Sequence, residues 1–194
     1  MIHDGYWQND LRAIANKIIY WERKINRLID KGYKYSYTEI ERARHKLSQL
    51  IFFSACIIRK MIEEENQGIL AIEKCQEMFP SNEYKDPRCF FKLYNQSIAV
   101  YQTPLKDDSV NCFDDYCSED YDFSVSHKSQ QLVKNISNWI IHSYIWGLQN
   151  CDPNDNHIRG FVISSDYDRT KFACYVNLKS WCKVLQYCAE YAYL

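Results

Sequence analysis

SHKSQQLVKNISNWIIHSYIWGL, residues 126–148, is the stretch on which the architecture turns. Leu132, Ile136, Ile140, Ser143 and Gly147 fall on one line at helical spacing, with Val133, Ile141, Tyr144 and Leu148 beside it. Apolar residues recurring every three to four positions are the signature of a helix with one buried face. The spacing predicts a single helix from about Ser126 to Leu148, the best buried of the chain and central to its fold.

The residues upstream extend the helical pattern. Leu11, Ile14, Ile18, Trp21, Ile25 and Leu28 predict an amphipathic helix from Asn9 or Asp10 to about Asp30, stopped by Lys31-Gly32. Thr38-Glu39-Ile40-Glu41 has capping-box form, a hydroxyl for the free amides and a carboxylate three residues on, and predicts a second helix to roughly Asn66. Ile40, Ala43, Leu47, Leu50, Ser54, Ile58 and Met61 form its core stripe. Gly68 is expected to end it, and a shorter helix over Ile69–Phe79 to stop before Pro80.

Periodicity fails from about 80 to 124, where Pro87, Pro104 and the acid-rich 107–122 run predict an irregular acidic insertion. Within it, Cys89 to Tyr94 reads as a short strand or turn. Downstream, Phe161–Ser165 and Lys171–Asn177 read as two strands of a β-hairpin, with Asp166-Tyr167-Asp168 supplying turn chemistry. Ser180 is expected to cap a terminal helix carrying Trp181, Val184, Leu185, Cys188 and Tyr191. The resulting expectation is a single domain over 1–194. It is mainly α, a helical bundle of four to five helices, with a C-terminal antiparallel β-hairpin and terminal helix over about 160–194.

Composition narrows the function classes. The net charge of −1 conceals an asymmetry: residues 1–60 carry 12 Lys and Arg against 6 Asp and Glu, and residues 61–125 carry 5 against 14. Such blocks read as solvated helix faces of opposite sign rather than as the footprint of a dedicated nucleic-acid binder. Nine cysteines lack framework spacing, and Met1 to Tyr6 lacks the basic start and apolar core of a secretory leader, which predicts reduced thiols and a cytoplasmic protein. No apolar run reaches the ~18 residues of a membrane span. The five glycines stand apart, so neither a dinucleotide fingerprint nor a P-loop can be written. No two cysteines stand in C-x2-C spacing and no second half complements the nearest pairs, Cys112 with Cys117 and Cys182 with Cys188, while His157 replaces the glycine that a calcium loop starting at Asp152 would need. No metal or cofactor is expected.

The candidate chemistry lies on the opening stretch. On a helix Asn138 and His142 stack at i and i+4, with Asn135 one turn before. An imidazole can exchange a proton near neutral pH, and a neighbouring amide can hold a ribose hydroxyl or phosphate oxygen, which suits cleavage through the ribose 2′-hydroxyl. The charge on phosphate needs a cation. Arg59, on the second long helix, is the candidate and Lys60 the reserve.

Asn138, His142 and Tyr144 resemble the signature helix of HEPN domains, helical ribonucleases and nucleotide-binding proteins of toxin-antitoxin and phage-defence systems. That motif runs Arg, a polar residue, three further residues, His, and often x-Tyr. Ser137 stands here at the arginine position. The resemblance implies an RNA substrate, a homodimer with a composite cleft, and a role in antiviral defence, while the serine implies weak or absent cleavage. The alternative is a non-catalytic module that meets a protein partner through its acidic insertion or aromatic surface.

Overall fold

The computed structural model describes residues 5–78, 93, 95–106, 120–149, 155–165, 168 and 171–191. Two long helices open the chain, α1 (Gly5–Asp30) and α2 (Tyr33–Met78). Strand β1 (Ser97–Pro104) follows, then β2 (His127–Leu132), α3 (Val133–Ile141), β3 (Ser143–Gln149), β4 (Gly160–Ser165), β5 (Phe172–Asn177) and α4 (Leu178–Tyr191). The five strands make one antiparallel sheet in the order β2-β1-β5-β4-β3.

This corrects the expected helical bundle with one hairpin: the protein is a mixed α/β structure built on a five-stranded sheet. The error centres on residues 126–148, which form strand, helix and strand rather than one helix. Since β2 lies at one edge of the sheet and β3 at the other, α3 carries the chain from edge to edge. The two strands are hidden for different reasons. His127-Lys128-Ser129-Gln130-Gln131 is a polar edge strand with no apolar alternation, the composition that protects an open edge. Ser143 to Gln149 is apolar enough to continue a helical stripe, an ambiguity inherent in short apolar runs.

The insertion expected over 80–124 is corrected in the same way. It contains β1, which lies inside the sheet between β2 and β5, pairing Val100 with Ser129 and Tyr101 with Tyr175. Of the Cys89–Tyr94 segment only Leu93, buried in a turn, is among the described residues. The acidic run 107–119, Asp166 and Tyr167 lie outside them.

The helices differ in detail from expectation. Gly32 does end α1, with φ +89° and its amide donating to Ile29 O at 2.9 Å. Thr38 does not open α2, which starts at Tyr33, and Gly68 does not end it. A lone glycine costs a helix only about 1 kcal/mol. α4 is capped by Asn177, whose Oδ1 accepts from the amides of Lys179 (2.9 Å) and Ser180 (3.4 Å), not by Ser180.

The period-2 rule separates two cores on the central strands. Phe161 and Ile163 of β4, with Cys174 and Val176 of β5, join Leu11, Ile18, Leu47, Ile58, Ile136 and Leu185 of the four helices in the main core. Val162, Ala173 and Tyr175 point the other way, onto Tyr121, Leu105 and Phe123. Gly160 sits where a Cβ would strike the Tyr175 ring and the Val176 carbonyl, so the β4–β5 pair closes only around a glycine. Burial pushes the thiols of Cys174, Cys182 and Cys188 up to about 12, and these cysteines act as small apolar side chains.

Candidate functional site

α2 runs past the C-terminal end of α3, and Arg59 meets His142 there. Arg59 Nη1 donates to His142 Nε2 at 2.9 Å, and Arg59 Nε donates to Glu63 Oε1 at 2.9 Å. A guanidinium has no acceptor, so in this arrangement Nε2 accepts and Nδ1 carries the ring proton. His142 is exposed. It is not a mid-helix residue: it is the C-cap of α3 (φ −110°, ψ 20°), its amide donating to Asn138 O at 2.9 Å. The imidazole therefore stands at the point where the chain leaves the helix for β3, clear of the buried face.

The other candidate residues are placed unequally. Asn138 is exposed one turn before His142, while Asn135 is only partly accessible. Lys60 turns away: it reaches Glu64 at 3.9 Å and lines a separate hollow with Trp7 and Lys17. The Tyr144 backbone lies in β3 where the pairing with β4 shifts register, and its side chain is outside the described residues. Beside Ser143, a cavity of about 400 Å³ is lined by His45, Ser48, Gln49, Phe52 and Ile140. Phe52 and Phe53 remain 41% and 56% exposed on this side, open to stack against a planar group.

Ser137 has a structural reason. It is fully buried and donates from Oγ to Val133 O at 2.9 Å. An arginine there would have to place its charge in the buried surroundings of Ser137, at a cost of several kcal/mol without a partner. In this fold a cation must reach the imidazole from another element, and Arg59 does.

Sequence reasoning missed a second basic site. Arg23 and Arg27 on α1, Lys179 and Lys183 on α4, and His157 and Arg159 ahead of β4 line one cavity. The available signal was the i, i+4 spacing of two like-charged pairs, an arrangement helices otherwise disfavour. Glu22, only 6% exposed, forms part of this wall. Burial raises its pKa above 4.5, opposed by the charges of Arg159, Lys179 and Arg23.

A raised carboxylate favours folding fully below the unfolded pKa, and that contribution drains away as pH climbs through the folded value. Glu22→Gln removes the burden. Thermal melts from pH 4 to 7 are expected to show the variant gaining on wild type as pH increases above about 4.5; a gap moving in the opposite direction would mean that pairing with Arg159 outweighs burial.

Comparison of the chain with protein-family models, curated proteins and solved structures finds no match. Among the described residues, no helix is long and apolar enough to cross a membrane.

Proposed function

We propose that this is a cytoplasmic RNA-binding protein that cleaves RNA slowly through the ribose 2′-hydroxyl, using imidazole and guanidinium groups. The observation that carries the reading is the 2.9 Å contact between Arg59 Nη1 and His142 Nε2 at an exposed surface. When a phosphodiester enters, its non-bridging oxygens compete for the guanidinium, a stronger bidentate partner than the ring nitrogen. Nε2 is then released to take the proton from the 2′-hydroxyl. O2′ attacks phosphorus, the bond to O5′ breaks, and O5′ takes up a proton from water or the imidazolium. The products are a 2′,3′-cyclic phosphate and a 5′-hydroxyl end. Asn138 orients the ribose, and Phe52 offers a face to the neighbouring base.

Glu63 holds Arg59 in place and neutralises part of its charge, so the expected cleavage is slow. Incubation of the folded protein with single-stranded RNA is expected to yield cyclic-phosphate ends. His142→Ala is expected to lower the rate by about 10²-fold, the low end for loss of a general base, and Arg59→Gln by a comparable factor. Equal cleavage by wild type and His142→Ala would show that the activity belongs elsewhere.

A further inference from the structure

The second basic feature of the molecule is independent of the Arg59–His142 pair. A cavity of about 560 Å³ opens between α1, α4 and the segment ahead of β4. Arg23 and Arg27 stand one turn apart on α1, and Lys179 and Lys183 one turn apart on α4. At that spacing each pair rises from a single helix face. His157 and Arg159 close the third side.

The two carboxylates in the lining are already engaged. Asp30 Oδ1 is 2.8 Å from His157 Nε2, and Glu22 Oε1 is 3.9 Å from Arg159 Nη1. Asp155 adds a further tie, its Oδ2 3.5 Å from Arg159 Nε. These acids fix the His157–Arg159 strip, and Glu22 also acts at longer range on Lys179 and Arg23. Among the described residues none comes within ion-pair distance of Arg23, Arg27, Lys179 or Lys183. Four cations converging on one cavity repel one another, and the repulsion is relieved by an anion. Among the described residues no Phe, Tyr or Trp lines the cavity, so recognition falls chiefly on charge.

From this arrangement we infer that the α1–α4 cleft binds a ligand carrying at least two phosphate groups. Arg23 and Arg27 engage one phosphate, Lys179 and Lys183 the other, and Arg159 closes the third side. The guanidinium pair suits bidentate phosphate contacts, while the lysines act as point charges. The same chemistry is presented by a nucleoside diphosphate and by the backbone of a single-stranded nucleic acid.

Calorimetric titration of the full chain at an ionic strength of about 0.15 M, where exposed charges more than ~8 Å apart are largely screened, tests the inference and separates the sources. The probes are inorganic pyrophosphate, ADP, and a short oligodeoxynucleotide, which lacks the 2′-hydroxyl needed for cleavage. Pyrophosphate is expected to bind, and the paired variants Arg23→Gln with Arg27→Gln, and Lys179→Gln with Lys183→Gln, are each expected to weaken it at least about tenfold. All four positions are exposed, so these variants should keep the fold, as circular dichroism would verify. Lys17→Gln with Lys24→Gln, which removes the same charge from α1 outside the cavity, is expected to change affinity by less than about twofold. Tighter binding of ADP that the oligonucleotide cannot displace assigns the cleft to a free nucleotide; displacement by the oligonucleotide assigns it to a nucleic-acid backbone. Loss of affinity in the Lys17/Lys24 control equal to that in the cleft variants, or no binding of any of the three probes, would overturn the proposal.

Discussion

Trp181→Ala is expected to lower the free energy of unfolding by about 3–5 kcal/mol, the range for removing a large aromatic side chain from a core. Trp181 is fully buried on α4 and performs two distinct tasks. Its ring meets Phe161 of β4 edge-on, with centroids 6.2 Å apart and planes at 87°. Its Nε1 donates to Ser54 Oγ at 3.0 Å, across 127 residues of sequence. One side chain thus joins the terminal helix to the sheet and to α2. The indole bond is separable from the packing. Ser54 Oγ also donates to Ile51 O at 2.7 Å, so Trp181→Phe leaves the hydroxyl with a partner. Ser54→Ala instead strands a buried indole N–H, at about 1–3 kcal/mol. Urea denaturation of the three variants should rank Trp181→Ala as the most destabilised; a loss below about 1 kcal/mol there would contradict the packing of α4 described above.

The amphipathic face of α1 was legible because Leu11, Ile18, Ile25 and Leu28 follow one helical line and all are buried. The β4–β5 hairpin was legible because its residues are β-branched or aromatic and flanked by turn formers. The rest of the sheet was not. β1 carries Ile98, Val100, Tyr101 and Thr103, an adequate strand composition, but ends on Pro104 and precedes an acid-rich run that mimics a loop. Only pairing with β2 and β5 distinguishes it. β2 is polar because it is an edge, and no local pattern announces a strand whose partners alone hold it.

The approach of Arg59 to His142 was legible in the sequence, and its setting was not. Arg59 and His142 do meet, although the expectation of a long helix carrying His142 on its side was wrong. The contact survives that error because it depends on the end of α3 approaching α2, whichever structure follows Ile141. The basic cleft drew no notice for the opposite reason. Its members lie on three elements, α1 standing more than a hundred residues before the other two, and only the packing of α1 against α4 brings them together.

Asn26→Ala should combine a large loss of stability with damage to that cleft. Asn26 lies buried on α1 and clasps the backbone of Ile158 from both sides: Nδ2 donates to Ile158 O at 3.1 Å, and Oδ1 accepts from Ile158 N at 2.8 Å. Ile158 is itself buried, so truncation leaves two peptide groups without a partner and away from water. At about 1–3 kcal/mol for each stranded group, the expected cost is about 2–6 kcal/mol. The upper part of this range is reached only if segment 155–159 stays docked; if it opens locally and hydrates, the loss is limited to the free energy of that opening. Docking is reinforced by Leu178 N donating to Arg159 O at 2.9 Å, which ties the segment to the start of α4. Asn26→Asp isolates the donor half, since a carboxylate still accepts from Ile158 N but faces Ile158 O with a second acceptor. Hydrogen exchange at the Ile158 amide should therefore accelerate strongly in Asn26→Ala and much less in Asn26→Asp. Because Ile158 stands between His157 and Arg159, pyrophosphate affinity should fall with the clasp even though Asn26 carries no charge. Unchanged exchange at Ile158 in Asn26→Ala would show that the segment is held by its other contacts, and that the cleft does not depend on this asparagine.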